Sequence, residues 1–127
     1  MAYEVDIQVL DDYVRFEAFG ERNPDTAIED AVALWSSVVG VCKERDIFKI
    51  VAIGHIEGPL PTQTGYDIAS RLERFGLSQK YKLAMVNFQE ETFDDMQFSI
   101  MVAANRGYRV KQFSNEQDAI DWLIQEF

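Results

Sequence analysis

The stretch Phe48-Lys49-Ile50-Val51-Ala52-Ile53-Gly54-His55-Ile56 decides the fold that we expect for this chain. It is apolar almost throughout and does not alternate between apolar and polar residues. A continuous run of this kind is typical of a strand covered on both faces, as in a parallel sheet. The stretch Lys82-Leu83-Ala84-Met85-Val86-Asn87-Phe88 has the same character. Two such strands predict a parallel sheet whose strands are connected by helices.

The N-terminal segment has a different pattern, in which apolar and polar residues alternate. Residues 3–9 and 14–18 both alternate with a period of two, and Asp11-Asp12 lies between them as an acidic turn. Alternation with one polar face predicts half-buried strands. Two such strands joined by a short turn predict an antiparallel hairpin.

Helical periodicity follows this hairpin and returns after each later strand. We predict long helices over about 24–45 and 64–75, a third that Gly107 ends, and a fourth at the C-terminal end of the sequence. Their predicted N-caps are Asn23, Thr64, Thr92 and Ser114. The last strand, 108–113, is more polar and is expected at a sheet edge.

These elements predict one α/β domain over residues 1–127, in the order ββαβαβαβα. The expected sheet is mixed and mostly parallel, with about five strands, and about four helices flank it.

The composition excludes several classes of protein. The 127 residues include 22 Asp and Glu against 12 Lys and Arg, for a net charge of −10. This excess argues against nucleic acid or an anionic membrane as a partner, because neutralising phosphates requires clustered basic side chains. No run of about 18 apolar residues is present, and the start lacks the pattern of a signal peptide. We therefore expect a cytoplasmic protein without stable membrane insertion.

Motifs for cofactors, metals and covalent catalysis are missing from the sequence. Neither glycine-rich phosphate motif is present, and Gly54 and Gly58 stand alone. Cys42 is the only cysteine and lies on the apolar face of the first predicted helix, where a thiol is inert. One histidine and scattered carboxylates give no spacing suited to a metal. We predict no catalytic residue, no cofactor and no metal site.

Two places remain as candidate binding sites. His55 ends a predicted parallel strand, where open α/β sheets bind ligands, and Glu57 on the same strand face would orient its ring. The loop 57–67 then brings the hydroxyls of Thr62 and Thr64 to the start of a helix, where an anion or phosphoryl group is favoured. The simpler interpretations are a structural histidine and plain helix capping by Thr64.

Two further clusters bear on possible partners. The acidic group Glu90, Glu91, Asp94 and Asp95 fits the positive end of a helix dipole, or alternatively a docking patch for a basic partner. Aromatic residues beyond those needed for a core suggest self-association as a homodimer. They are Phe88, Phe93, Trp122 and Phe127.

The whole chain resembles the small bacterial SpoIIAA-like proteins of the STAS type. The resemblance rests on the order of elements and on three C-terminal features: Asn105-Arg106-Gly107, Phe113 before the last helix, and the ending Ala119-x-x-Trp122-Leu123. It implies a mixed sheet flanked by helices, related to anti-sigma-factor antagonists and to lipid carriers of the CRAL-TRIO type. In the antagonists a serine after the central strand is phosphorylated. This chain has Thr62 and Thr64 there and lacks the Asp-Ser-Ser-Gly-Leu sequence.

Two functional hypotheses follow. The first is a non-enzymatic regulatory or protein-interaction module that docks through the loop 57–67, with Thr62 or Thr64 as its phosphorylation position. The alternative is a binder of a small apolar or lipid-like ligand, held in a crevice at the C-terminal ends of the parallel strands near His55, Tyr66 and Phe88. A hydrolase centred on His55 is the third hypothesis, although we expect no enzymatic activity.

Overall fold

One mixed sheet organises the protein in the computed structural model, which describes residues 3–125. Its described strands are β1 (Tyr3–Val9), β2 (Val14–Glu21), β3 (Lys49–Glu57), β4 (Lys82–Asn87) and β5 (Arg109–Phe113). They lie side by side in chain order, with β1 antiparallel to β2 and all later neighbours parallel. The predicted hairpin, the mostly parallel sheet and the edge position of the last strand are therefore confirmed.

The helices alternate with the parallel strands, so the predicted order ββαβαβαβα is also confirmed. The described α-helices are α1 (Ala27–Arg45), α2 (Thr62–Ala69), α3 (Glu90–Asn105) and α4 (Glu116–Leu123). The helix expected over 64–75 is two pieces, because α2 ends at Ala69 and a single 3₁₀ turn, Leu72–Phe75, follows it.

The predicted N-caps of the first and last helices are wrong by a few residues. Asn23 accepts a hydrogen bond from the backbone N–H of Asp25 at 2.9 Å, in a turn that precedes α1. Asn115, not Ser114, caps α4 by accepting from the N–H of Asp118 at 2.9 Å. Asn and Ser stabilise turns through the same short-range hydrogen bonds that make them good helix caps. The residue type alone therefore does not distinguish a turn from a helix N-cap.

The predicted caps of the middle helices are also wrong. Thr64 lies inside α2, whose N-cap is Pro61, and Thr92 lies inside α3, whose N-cap is Gln89. Neither of these N-cap residues makes a side-chain capping bond. Thr92 instead donates its hydroxyl to the carbonyl of Gln89, with an oxygen–oxygen distance of 3.4 Å.

The two faces of the sheet are covered unequally. Helices α1, α2 and α3 and the 3₁₀ turn pack on one face, here the front face, with Ile50 and Ala52 of β3. Helix α4 packs on the opposite, back face, with Val51 and Ile53. Successive residues of a strand point to opposite faces, so an apolar run without alternation is what a strand buried on both sides requires.

Helix α4 is held to the back face at both of its ends. Near its start, Glu116 accepts two hydrogen bonds from the guanidinium of Arg15 on β2, at 2.7 and 3.1 Å. At its end, buried Lys82 of β4 donates from Nζ to the carbonyl of Trp122 at 2.6 Å and to that of Gln125 at 3.2 Å. Short helices are marginal alone, so these contacts and its apolar face fix α4 in place.

Cys42 is fully buried in α1, as the sequence predicts. Burial raises the pKa of its thiol to about 11, so the thiol is protonated at neutral pH. Of the aromatic residues considered for self-association, Phe127 lies outside the described residues. Within residues 3–125, no helix combines the length and apolar character needed to cross a membrane.

Candidate functional site on two faces of the sheet

A cavity of about 170 Å³ lies between the front face of the sheet and helices α1, α2 and α3. Residues from the C-terminal halves of β2, β3 and β4 form its floor, among them Ala18, Gly54 and Met85. We call this space the front-face cavity. Voids larger than a water molecule are few in close-packed proteins, and an engineered apolar cavity of about 150 Å³ binds benzene. The cavity is thus large enough for a small organic molecule.

Small residues on the floor and on the covering helices leave this space open. Ala18, Ala52 and Gly54 face it from the sheet, and Ala31 faces it from α1. None of these side chains extends beyond Cβ, so the helices rest on the sheet without filling the gap between them. The remaining lining is mostly apolar, so an apolar ligand would lose its hydration on entering without breaking hydrogen bonds.

Most polar groups of the cavity already have partners. Asn87 donates to the hydroxyl of Thr92 at 3.2 Å and to the side-chain oxygen of Gln112 at 3.3 Å. Ser99 donates to the carbonyl of Asp95 at 3.5 Å. The bonds of Asn87 join the end of β4 to α3 and to β5, and the bond of Ser99 lies within α3. Together they explain how a largely buried polar cluster is tolerated there.

Arg22 is the charged residue among the described residues that line the cavity. It directly follows β2 and is half-buried, and its Nη1 donates to the carbonyl of Gly58 at 2.7 Å. Burial lowers the pKa of its guanidinium, while the neighbouring Tyr3 and Asp95 act in the opposite direction. The ion pairs found within residues 3–125 do not include Arg22.

A row of three stacked rings crosses the back face, beside α4. Phe19 stacks on His55 with ring centroids 4.8 Å apart, and His55 stacks on Phe88 at 5.5 Å. We call these three residues the aromatic row. Phe19 is 41% exposed and Phe88 is 52% exposed, so the row is an open surface and not part of the core.

Glu17, and not Glu57, orients His55. The Nε2 atom of His55 lies 3.0 Å from Glu17 Oε2, and Arg15 contacts the other Glu17 oxygen at 3.0 Å. An ionised carboxylate only accepts hydrogen bonds, so Nε2 carries the proton. These contacts, that with His55 foremost, lower the pKa of Glu17. The β2–β3 register places Phe19 directly opposite His55 and Glu17 diagonally beside it. Glu57 is the last residue of β3 and its side chain is exposed, so the prediction that it orients His55 is wrong.

The structure does not bring His55, Tyr66 and Phe88 together, so the predicted crevice is wrong in this respect. His55 and Phe88 lie on the back face, and Tyr66 lies exposed on α2, where its hydroxyl is 3.5 Å from Arg106. A strand sends alternate side chains to opposite faces, and that alternation separates these residues.

The two threonines have different surroundings. Thr64 lines the front-face cavity and is half-buried, whereas Thr62 is exposed as the first residue of α2. Of the two candidate phosphorylation positions, Thr62 is thus the accessible one.

The sequence does not single out Arg22, Phe19 or Glu17 as residues of these sites. Phe19 lies on the polar face of β2, together with Arg15 and Glu17. An aromatic residue on the polar face of a strand is unusual, and this is the sequence feature that was available to indicate Phe19 as a site residue. Arg22 has no comparable signal, because it lies in a polar segment after the strand and reaches the cavity only through the fold.

No protein-family model matches this chain, and a search of curated proteins found no similar sequence. The resemblance to SpoIIAA-like proteins therefore remains a prediction from motifs. Within the part of the chain that the structure describes, no three His, Cys, Asp or Glu side chains are grouped so as to hold a metal ion.

Proposed function

We propose that this protein binds a small apolar ligand in the front-face cavity, as a carrier or sensor and without catalysing a reaction. The observation that carries the proposal is the cavity itself, which lies between the sheet and three helices and is lined mainly by apolar side chains. Burying an apolar chain contributes about 0.8 kcal/mol for each methylene group. A six-carbon chain therefore gains about 4–5 kcal/mol, which corresponds to affinities near millimolar before any polar contact is added.

The methionine side chains allow a direct test of this site. Met85 and Met96 line the cavity, whereas Met101 is 54% exposed on α3 and does not. We expect titration of methyl-labelled protein with hexanol to shift the NMR signals of Met85 and Met96 saturably and to leave Met101 unchanged. Equal shifts of all three signals, or no shift at all, would contradict the proposal.

A matched pair of variants on α1 separates occupation of the cavity from general effects of an added side chain. Ala31 faces the cavity, and Ala33 is exposed on the same helix. Ala31→Leu should fill the space and abolish the shifts, while Ala33→Leu should bind hexanol as the wild type does. Equal binding by both variants would place the ligand elsewhere.

A second candidate function is docking of a protein partner on the aromatic row. Exposed aromatic rings of this kind are enriched at protein interfaces. The carboxylates of Glu17, Glu21 and Glu57 lie on the same strands. A partner segment with apolar and basic side chains would satisfy both features, and the net charge of −10 disfavours a second copy of the chain.

This docking role is tested by replacing one ring. Phe88→Ser removes an exposed aromatic of the row, and Phe98→Ser removes a similarly exposed aromatic of α3 as the control. We expect a partner retained by the wild type and by Phe98→Ser to be lost with Phe88→Ser. Light scattering after size-exclusion chromatography reports the alternative, a homodimer that Phe88→Ser dissociates.

The regulatory hypothesis gives Thr62 a specific role. A phosphoryl group on Thr62 would lie at the N-terminal end of α2, which favours negative charge. Intact-mass analysis of protein purified from its native cells, before and after phosphatase treatment, tests this modification. Phosphorylation that persists in a Thr62→Val protein would assign it to another residue.

A further inference from the structure

The front-face cavity contains a cation within a mostly apolar lining, and this combination bears on the chemistry of the ligand. We propose that the ligand is an amphipathic acid whose carboxylate binds the guanidinium of Arg22 while its short apolar chain occupies the cavity. This inference rests on the proposed function of ligand binding and adds to it the class of ligand.

The argument begins with the position of Arg22. A half-buried cation is costly unless an anion or several hydrogen-bond acceptors compensate it. The hydrogen bond to the Gly58 carbonyl uses one donor of Nη1, and a guanidinium has five. Asp95 acts on this guanidinium electrostatically but forms no ion pair with it among the described residues. Donors of the planar fork are therefore available to a carboxylate, which they match in geometry.

The surrounding residues strengthen the inference. Thr64 lines the same cavity and adds a hydroxyl that is able to donate to an acid. The chain as a whole is strongly acidic, so its general field repels an anionic ligand. Selection of an acid therefore requires a local cation, and Arg22 supplies one at the cavity wall.

The matched probes are hexanoate and hexanol, which share one apolar chain and differ in the head group. Without a cation in the cavity, hexanol would bind more tightly, because a carboxylate is far more strongly hydrated. We expect the wild type to bind hexanoate at least tenfold more tightly than hexanol, measured by the shifts of the Met85 and Met96 methyl signals.

Substitution of Arg22 should reverse this preference. We expect Arg22→Met to lose at least tenfold in affinity for hexanoate and to retain its affinity for hexanol, which also shows that the cavity is intact. Arg22→Gln serves as a second variant if Arg22→Met does not fold, and Arg74→Met removes an exposed arginine as the control.

The outcomes separate this inference from the function on which it rests. Failure of both probes to bind the wild type would overturn the proposed function together with the inference. Binding of hexanol at least as tight as that of hexanoate would overturn the inference alone. So would hexanoate binding that the Arg22 variants leave unchanged.

Discussion

The side chain of Lys82 is hydrogen-bonded to the backbone of Trp122, because Lys82 Nζ donates to the Trp122 carbonyl at 2.6 Å. The same ammonium lies 4.5 Å from the centroid of the Trp122 ring. The last carbonyls of a helix have no partner within the helix and carry partial negative charge. The last turn of α4 has backbone bonds at its end but no basic residue of its own, so a buried lysine from β4 supplies the cationic C-terminal contact.

Removal of this contact should destabilise the protein. Hydrogen bonds to charged groups contribute about 1.5–3 kcal/mol each, and the desolvation of the buried ammonium offsets part of this gain. We therefore expect Lys82→Met to lower the free energy of unfolding by about 1–3 kcal/mol. Urea denaturation measures this change. The exposed Lys80 is the control, and Lys80→Met should stay within about 0.5 kcal/mol of the wild type. Equal stability of the two variants would contradict the stabilising role of this contact.

One substitution, glycine to alanine, should have opposite effects at two positions. Gly40 lies in α1, and a Cβ added there meets nothing within 4 Å, so Gly40→Ala should stabilise by about 0.5–1 kcal/mol. Gly76 has a φ of +90°, and its added Cβ would lie 3.0 Å from Val39 Cγ1, so Gly76→Ala should destabilise by about 1–3 kcal/mol. Thermal and urea unfolding measure both. A change of the same sign in the two variants would refute this account of the backbone.

The thiol of Cys42 should be unreactive in the native protein. Because burial raises its pKa to about 11, little thiolate forms below that pH. We expect its reaction with a disulfide reagent at mildly alkaline pH to be at least about a hundredfold slower than in the unfolded chain. Rapid labelling of the folded protein would contradict the buried position.

The same pKa shift links Cys42 to stability at high pH. The folded state holds the thiol proton more tightly than the unfolded state, so this contribution is complete below the ordinary pKa of 9.0 and is lost as the pH rises towards 11. In Cys42→Ala this part of the alkaline loss of stability should disappear. Denaturant unfolding of both proteins over that pH range measures the difference, and parallel pH profiles would rule it out.

The contact between His55 and Glu17 should be visible in the acid titration of Glu17. The hydrogen bond from His55, with those from Arg15, lowers the pKa of Glu17 below its ordinary value of 4.5. Its contribution to stability is therefore complete above pH 4.5 and is lost as the pH falls through the lower, folded-state pKa. The carboxyl carbon shift of Glu17, followed by NMR, measures this midpoint.

His55→Phe is the informative variant for this contact, because it keeps a ring between Phe19 and Phe88 and removes the donor. We expect the midpoint of Glu17 to rise towards 4.5 in this variant. An unchanged midpoint would show that the pKa is lowered by Arg15 and not by His55.

Much of the fold can be predicted from the sequence, because strands buried on one face and strands buried on both faces have different hydrophobic patterns. The unbroken apolar runs around Ile50 and Leu83 indicate strands covered on both sides, and the alternation of residues 3–9 indicates a strand covered on one. Helix starts are less readable. Asn23 and Thr26 lie close together before α1. Asn23 forms the turn that precedes the helix, and Thr26 is the N-cap residue after which the helix begins.

The candidate site is less predictable because it depends on register and packing. His55 is notable in the sequence as the only histidine, but its partner Glu17 lies 38 residues earlier and is brought to it by the pairing of β2 with β3. The cavity arises from side chains that are small, such as Ala18 and Ala52, and a small residue in a strand satisfies an apolar pattern as well as a large one does. Only the placement of the helices shows the space that remains.

The identity of chain order and strand order has a consequence for how the protein is made. During synthesis, each strand after β1 leaves the ribosome when one of its sheet neighbours, the preceding strand, is already present, because β3 follows β2 and β4 follows β3 in both orders. No gap must be held open for a later segment, and no strand must be inserted between two that have already paired. The sheet is therefore able to grow in one direction, one strand and one helix at a time, as translation proceeds.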